Sequence, residues 1–167
     1  GRDAVVLAHL ARPFADKLQL LWTNTGMMFP HMVEFVRSYG RTYRLVEVSA
    51  DIASNWRDFG LPAEIAPGQN MQPGANPLLQ PWLACCGMNR TRPMLDFLAK
   101  QGGGLLVHGQ RLSDNARHLG IGIGPVPEAP SVIGTAPLAQ WSDDEVQEYV
   151  EQNGLALPEQ YEVGADS

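Results

Sequence analysis

The sequence predicts a single α/β domain, a three-layer sandwich in which a mostly parallel sheet is flanked by helices. Helical and strand patterns alternate along the chain, which is typical of strand–helix–strand crossovers and of a sheet covered on both faces. The chain has 167 residues, of which 44% are apolar, enough for one core of ordinary size. We therefore expect residues 1–167 to form one domain.

The first helix and the first strand are predicted from the spacing of their apolar residues. Residues 4–14 place apolar side chains at helical intervals, and Pro13 ends the pattern because proline cannot continue a helix. The N-terminus of this helix is then Gly1-Arg2-Asp3. The apolar run 18–22 predicts a short buried strand, which ends in the polar loop 23–26.

The later elements follow from the same two patterns. The last helix has the clearest start, because Ser142 is followed three residues later by Glu145, the pattern of a capping box. Helices are predicted over 30–40, 88–100 and 142–152, and strands over 43–48, 105–108 and 131–135.

Two stretches that show neither helical nor strand periodicity of apolar residues are predicted as loops. Proline and glycine crowd residues 60–81, and residues 120–130 have a similar composition. A parallel sheet of this kind usually starts with a strand, and no strand pattern precedes the first helix. We therefore expect one more strand upstream of Gly1.

The charge and hydropathy of the chain exclude several classes of partner. The formal net charge of -6 gives no sequence-wide basic field of the kind that attracts nucleic acids or membrane surfaces. No apolar run approaches the roughly 20 residues that cross a bilayer, and no signal-peptide pattern opens the chain. We expect a cytoplasmic protein with no membrane and no nucleic-acid partner, in which local groups hold any anionic ligand.

Two polar stretches are candidates for holding an anion. The start of the first helix would point N–H groups and a cation at the carboxyl edge of the sheet, where open α/β sheets place their ligands. The loop after the first strand leaves the sheet at the same edge. The candidate residues are Gly1, Arg2, Asp3, Thr23, Thr25 and Gly26. Ordinary helix capping and a simple turn are the competing interpretations.

A cysteine pair and three arginines follow further along the chain. Cys85 and Cys86 are adjacent, and cysteine thiolates bind soft metals or iron–sulfur clusters, although free cysteines are also common as small core residues. Arg90, Arg111 and Arg117 are candidates for binding phosphate or sulfate, because a guanidinium group holds an oxyanion through two parallel hydrogen bonds. A solvated helix face or surface salt bridges would explain the arginines equally.

In this order, the features resemble the phosphoadenylyl sulfate (PAPS) reductase family, within the PP-loop, adenine nucleotide α-hydrolase-like superfamily. The resemblance covers nearly the whole chain. Its motifs are GRDA at 1–4, TNTG and then FP at 23–30, CC and then RxxPM at 85–94, GQR and a further arginine at 109–117, and PL, WS, V and Y at 137–149. In this chain, Arg2, Ala4 and Asn24 stand where the family pattern has Lys, Ser and Asp.

The resemblance implies the fold of that superfamily and a sulfonucleotide reductase activity. Adenylyl sulfate or PAPS would lie at the sheet edge, with its sulfate near Arg90 and Arg111. In the family, a cysteine on a C-terminal tail attacks the sulfur as a thiolate, and thioredoxin or glutaredoxin then releases sulfite. No such tail cysteine occurs in this chain, and we expect the sequence to be truncated at both ends.

The adjacent cysteines resemble those of the iron–sulfur branch of the family. There a second cysteine pair completes a four-cysteine site, which Cys85 and Cys86 alone cannot fill. The resemblance therefore implies an iron–sulfur cluster only if further cysteines lie beyond Ser167. Two other functions stay open, a PP-loop ATP pyrophosphatase or sulfurtransferase and a nucleotide-binding module without turnover. The sequence is also compatible with a homo-oligomer.

Overall fold

Helices and strands alternate along the chain in the computed structural model, which describes residues 1–65, 78–114 and 123–161. The helices are α1 (Arg2–Ala11), α2 (Pro30–Ser38), α3 (Ile52–Phe59), α4 (Trp82–Cys86), α5 (Arg92–Lys100) and α6 (Asp143–Gln152). The strands are β1 (Gln19–Asn24), β2 (Arg44–Ser49), β3 (Leu61–Ala63), β4 (Leu79–Pro81), β5 (Gly104–Val107), β6 (Gly124–Val126) and β7 (Ala129–Thr135).

The strands pair mainly in parallel. β1 and β2 run side by side, with Gln19 opposite Arg44 and Asn24 opposite Ser49. β3 and β4 also pair in parallel, and β7 lies between β5, which is parallel to it, and β6, which is antiparallel. The predicted α/β class with a mostly parallel arrangement is therefore confirmed, although the described strands form three separate sheets.

Two clusters of buried apolar side chains hold the helices in place. One joins α5 to the sheet of β5, β6 and β7 and consists of Leu95, Leu106, Val126, Ala129 and Val132. The other joins α1 to α6 and to the turn before α6 and consists of Val6, Leu138, Val146 and Val150. Full burial of an aliphatic side chain contributes about 1.5–3 kcal/mol. The second cluster therefore fixes the N-terminus of α1 beside that of α6.

The helix α3 is absent from the sequence prediction. It begins at the N-cap Asp51, whose carboxylate accepts a hydrogen bond from the backbone N–H of Ser54 at 3.0 Å. The helix predicted over 88–100 also begins earlier, at Trp82, and passes through a π-helical turn, Gly87–Thr91. The five residues of α4 are too few for a periodic apolar face, whereas α3 has such a face at Ile52, Trp56 and Phe59 that the sequence prediction missed.

The prediction of two loops, over 60–81 and 120–130, is wrong at the ends of these segments. Residues 60–81 include β3 and β4, and residues 120–130 include β6 and the start of β7. Strands of three residues are too short for an alternating pattern, so pairing in the folded chain decides their conformation. The middle parts, 66–77 and 120–122, lie outside the described residues.

Within the described ranges, no helix has the length and apolar character that a membrane span requires. The strand that the sequence predicts upstream of Gly1 stays a prediction.

Candidate functional site

The loop after β1 is held in a compact turn by its own side chains. The Asn24 Oδ1 atom accepts a hydrogen bond from the Gly26 N–H at 2.9 Å, and the Thr25 hydroxyl oxygen accepts one from the Met27 N–H at 3.4 Å. Gly26 has a φ of 76°, a left-handed conformation that favours glycine. This turn leaves the carboxyl end of β1, as predicted from the sequence.

The same loop contacts the helical segment that carries the cysteine pair. The Thr23 hydroxyl donates a hydrogen bond to the Arg90 carbonyl oxygen at 2.9 Å. That oxygen lies in the π-helical turn Gly87–Thr91, and π-helical turns are frequent at functional sites because they shift the side chains that follow them. The structure therefore brings together the second and third motifs, which are distant in sequence.

The Arg90 side chain is one of the two cations of the third motif. It is exposed and makes no ion pair or hydrogen bond within residues 1–65, 78–114 and 123–161. Its charge opposes the rise in the pKa of the Cys86 thiol. Arg92, on the same helical segment, is instead paired with Asp96 at 2.7 Å. Arg90 is thus a cation available to an anionic ligand.

The two adjacent cysteines have different surroundings. Cys85 is buried, and its sulfur accepts hydrogen bonds from the Trp56 indole N–H at 3.4 Å and the Asn89 amide at 3.5 Å. Cys86 is exposed, and the pKa of its thiol is raised by desolvation and then by Cys85, against the opposing effect of Arg90. Cys86 is therefore mainly a neutral thiol near pH 7, which is a weak nucleophile.

A buried amide network lies behind Cys85 and was not foreseen from the sequence. The Gln80 side-chain amide donates to the Asn55 Oδ1 atom at 2.9 Å and to the Gly60 carbonyl oxygen at 2.6 Å. Asn55 in turn donates to the Met88 sulfur at 3.5 Å. These bonds join β4 and α3 to the π-helical turn. Isolated amides carry no sequence signal for such a network, because its members are far apart in the chain.

The first motif is held by side chains of the C-terminal part of the fold. The Arg2 guanidinium donates to the Gln147 Oε1 atom at 3.1 Å and lies 5.7 Å from the centre of the Tyr161 ring. The Arg2 backbone N–H donates to the Tyr161 hydroxyl at 3.2 Å. The Arg2 guanidinium, predicted as a cation for an anionic ligand, therefore contacts α6 instead.

Arg111 is buried between the N-termini of α1 and α6. Its Nε atom lies 3.1 Å from the Asp3 Oδ1 atom, and its Nη2 atom donates to the Asp143 Oδ1 atom at 2.6 Å. A third nitrogen, Nη1, donates to the Trp141 carbonyl oxygen at 3.5 Å. The hydrogen bond from Arg111, and then its charge, hold the pKa of Asp143 below its ordinary value.

The end of β5 closely approaches the start of α1. A Cβ atom on Gly109 would lie 3.1 Å from the carbonyl carbon and oxygen of Asp3, so a larger residue would force the two segments apart. The first and fourth motifs therefore lie together, as the second and third motifs do. Arg117, the remaining predicted anion ligand, lies outside the described residues.

The chain's own residues do not fit a four-cysteine cluster. The sequence contains two cysteines, and the described residues contain no group of three or more His, Cys, Asp and Glu side chains that could hold a metal ion. The N–H groups of Trp56 and Asn89 donate to the Cys85 sulfur and would also suit a metal-bound thiolate. Cys85 and Cys86, however, supply only half of the four thiolates that such a cluster needs. We therefore derive no chemical step through a cluster.

The structure defines a mainly parallel α/β domain in which the first motif lies beside the fourth and the second beside the third. The sequence profile described as "Phosphoadenosine phosphosulfate reductase domain" matches residues 1–167. The chain belongs to the phosphoadenosine phosphosulfate reductase family.

One curated relative and one solved structure agree with this family. The chain is 24% identical over 152 residues to an adenosine 5'-phosphosulfate reductase of Rhodococcus erythropolis, a match that covers 91% of this chain and 57% of the relative. The fold resembles the crystal structure of a PAPS reductase from Candida auris in its phosphate complex. The TM-score is 0.65 at 16% identity, over 100% of this chain and 75% of that one.

Proposed function

We propose that the chain is the nucleotide-binding part of a sulfonucleotide reductase, which binds adenylyl sulfate or PAPS and supports reduction of the activated sulfate to sulfite by a thiol reductant. Membership of the family supports this function. The observation that carries the proposal is the exposed Arg90 guanidinium, in a helical segment that a hydrogen bond from Thr23 to the Arg90 backbone carbonyl ties to the end of β1.

We propose that Arg90 binds the sulfate and that the loop at Thr23–Gly26 and the start of α1 contact the phosphate and the ribose. A guanidinium group fits the planar arrangement of two sulfate oxygens and stays charged at every physiological pH. Arg111 and Arg117 remain further candidates for the anion. Adenylyl sulfate and PAPS differ by a 3'-phosphate, and either one would carry the sulfate to Arg90.

The proposed reaction transfers the sulfonate group to a thiolate. The thiolate attacks the sulfur, the bond from sulfur to the bridging oxygen of the nucleotide breaks, and AMP or adenosine 3',5'-bisphosphate leaves. The product is an S-sulfonate, which a second thiol, from thioredoxin or glutaredoxin, attacks to give sulfite and a disulfide. The two thiols supply the two electrons, so the sulfur is reduced and the thiols are oxidised.

Neither cysteine of this chain suits the role of the attacking thiolate. Cys85 is buried against Trp56 and Asn89, and the pKa of the Cys86 thiol is raised by desolvation. A raised pKa leaves little thiolate at neutral pH. We therefore propose that the attacking thiol is not one of this pair, and that Arg90 acts by holding and neutralising the sulfate.

Replacement of Arg90 by alanine is the direct test. Arg90→Ala removes a charge-assisted hydrogen bond worth about 1.5–3 kcal/mol, so the Kd for adenylyl sulfate should rise roughly 10- to 100-fold. Isothermal titration calorimetry measures that change, and the melting temperature checks the fold. Ligand at 100 times its Kd should stabilise the wild-type chain by about 2.7 kcal/mol.

Arg92→Ala is the matched control. Arg92 lies two positions along the same helical segment and is paired with Asp96, so its removal should leave the affinity for adenylyl sulfate unchanged. Equal losses in both variants would contradict the assignment of Arg90. Binding of ATP with release of pyrophosphate, and no sulfite from adenylyl sulfate, would identify an ATP pyrophosphatase instead. Binding without either product would identify a module without turnover.

A further inference from the structure

Arg111 is an anion candidate whose guanidinium already contacts two carboxylates of this chain. Asp3, on α1, lies 3.1 Å from Nε, and Asp143, on α6, accepts from Nη2 at 2.6 Å. The Arg111 side chain is 9% exposed. A carboxylate and a sulfate ester oxygen bind the same N–H groups, so any anion that reaches Arg111 must compete with one of these two residues.

The two carboxylates differ in how easily they can be displaced. The Asp3 side chain is 25% exposed, and the backbone carbonyl of Asp3 lies in the close approach between α1 and Gly109. The Asp143 side chain is 75% exposed, so its carboxylate can rotate into water and be solvated there. The outer Nη2 atom is therefore the one that can exchange partners.

We propose that Asp143 is a specificity-determining residue that occupies Arg111 in the absence of ligand and is displaced by a sulfate or phosphate ester. The inference rests on the proposed function, since it concerns the anion of the same ligand. A carboxylate at Arg111 yields to a sulfate ester, which has the same single charge but three terminal acceptor oxygens, or to a phosphate monoester, which carries more charge as well. Asp3 keeps Arg111 oriented while the exchange takes place.

The test compares Asp143→Asn with Asp144→Asn. Both variants remove one negative charge from the first turn of α6, but the carboxylate of this turn that binds Arg111 is that of Asp143. Because the Asp143 side of the pair is exposed, we take the pair as worth about 0.2–1 kcal/mol, so Asp143→Asn should lower the Kd for adenylyl sulfate about 1.4- to fivefold. Asp144→Asn should leave the Kd within error of wild type. In an Arg111→Lys background, the effect of Asp143→Asn should shrink.

A second readout follows Arg111 itself. The Arg111 Nε–H resonance, measured by NMR during titration with sodium sulfate at constant ionic strength, should move at lower sulfate concentration in Asp143→Asn than in wild type. An Arg111 resonance that does not respond to sulfate or adenylyl sulfate, or weaker binding in Asp143→Asn, would overturn the inference. If adenylyl sulfate binds while the Arg111 resonance does not change, the inference is wrong but the proposed function is not contradicted. A sulfate response without adenylyl sulfate binding would support the inference and contradict the proposed function.

Discussion

The guanidinium groups of Arg90 and Arg111 lie in opposite surroundings. Arg90 is exposed and has no ion pair or hydrogen bond through its side chain in the described ranges, whereas Arg111 is buried and contacts Asp3 and Asp143. A charge without a partner gains most from a new anion, because no existing bond must be broken. Arg90 therefore suits direct binding, and Arg111 suits binding by exchange.

Asn24 is a residue at which this chain departs from the family pattern. Its side-chain amide donates to the Glu47 Oε1 atom at 2.7 Å, and this bond is the largest cause of the lowered pKa of Glu47. Arg37 binds the same carboxylate at 3.1 Å. The aspartate of the family pattern would place a second carboxylate beside that of Glu47. Asn24 avoids this repulsion and donates a hydrogen bond instead.

We predict that Asn24→Asp destabilises the protein at neutral pH by about 0.5–1 kcal/mol, since the two exposed carboxylates are screened by solvent. The pKa of Glu47 is lowered in the folded state, so its contribution is present above its ordinary pKa and lost as pH falls through the folded value. The penalty should therefore shrink as pH falls through that folded value. Urea unfolding at neutral and at acid pH measures it.

Asn24→Asp combined with Glu47→Gln is the control. It restores a pair of one carboxylate and one amide, so most of the stability at pH 7 should return. A double variant as unstable as the single one would contradict the proposed repulsion and would show that Asn24 is needed for the turn itself.

At the scale of single elements, the helical segment from α4 through α5 positions the site. The π-helical turn Gly87–Thr91 directs the Arg90 carbonyl to Thr23, and α5 packs against β1, β2 and β7. Helix α3 supports this segment from behind, because Trp56 and Asn55 contact Cys85 and Met88. The start of α3 therefore influences the environment of the cysteine pair.

We predict that Asp51→Ala lowers the melting temperature by a few degrees, because the carboxylate caps α3 through the Ser54 N–H and hydroxyl. Hydrogen bonds from Ser54 lower the pKa of Asp51, so the cap stabilises the fold above the ordinary aspartate pKa and is lost as pH falls through the folded value. Thermal melts monitored by circular dichroism measure the loss at pH 7.

Asp51→Asn is the control for this cap, since asparagine caps helices about as well as aspartate. Its melting temperature should stay close to that of wild type and should depend less on acid pH. A variant Asp51→Ala that melts like wild type would show that packing alone holds α3.

At the scale of the whole molecule, two separate clusters of buried side chains support the segments that carry the candidate arginines. The cluster around Leu138 and Val6 fixes α1 beside α6, which is where Arg111 lies between Asp3 and Asp143. The other cluster fixes α5 on the sheet of β5, β6 and β7. The geometry of the arginines therefore depends on packing that lies away from them.

We predict that Leu138→Ala destabilises the chain by about 2–5 kcal/mol, because Leu138 is 1% exposed and its loss leaves a cavity between α1 and α6. Leu105→Ala, at a leucine that is 64% exposed, should change the free energy of unfolding by less than about 0.5 kcal/mol. Chemical unfolding curves give both values. Similar losses in the two variants would show that the cluster is not the main support of α6.

The sequence by itself determined the elements that have a strong local signal. Ser142 and Glu145 predicted the capping box of α6, and the structure confirms it. Apolar periodicity predicted α2 and the strands β2, β5 and β7, all confirmed within a few residues at their ends. The family resemblance also came from short local motifs, and the profile match confirms it. Such features depend on neighbours in the chain, so the sequence contains them.

The tertiary structure decided the features that depend on residues distant in the chain. The strands β3 and β4 are too short for a pattern, and their pairing with each other decides their conformation. The sequence grouped Cys85 with Cys86 and Arg90 with Arg111, but only packing made one of each pair buried and the other exposed. Burial and ion pairing depend on what the fold brings alongside a residue, and identical side chains at the sequence level therefore acquire different chemistry.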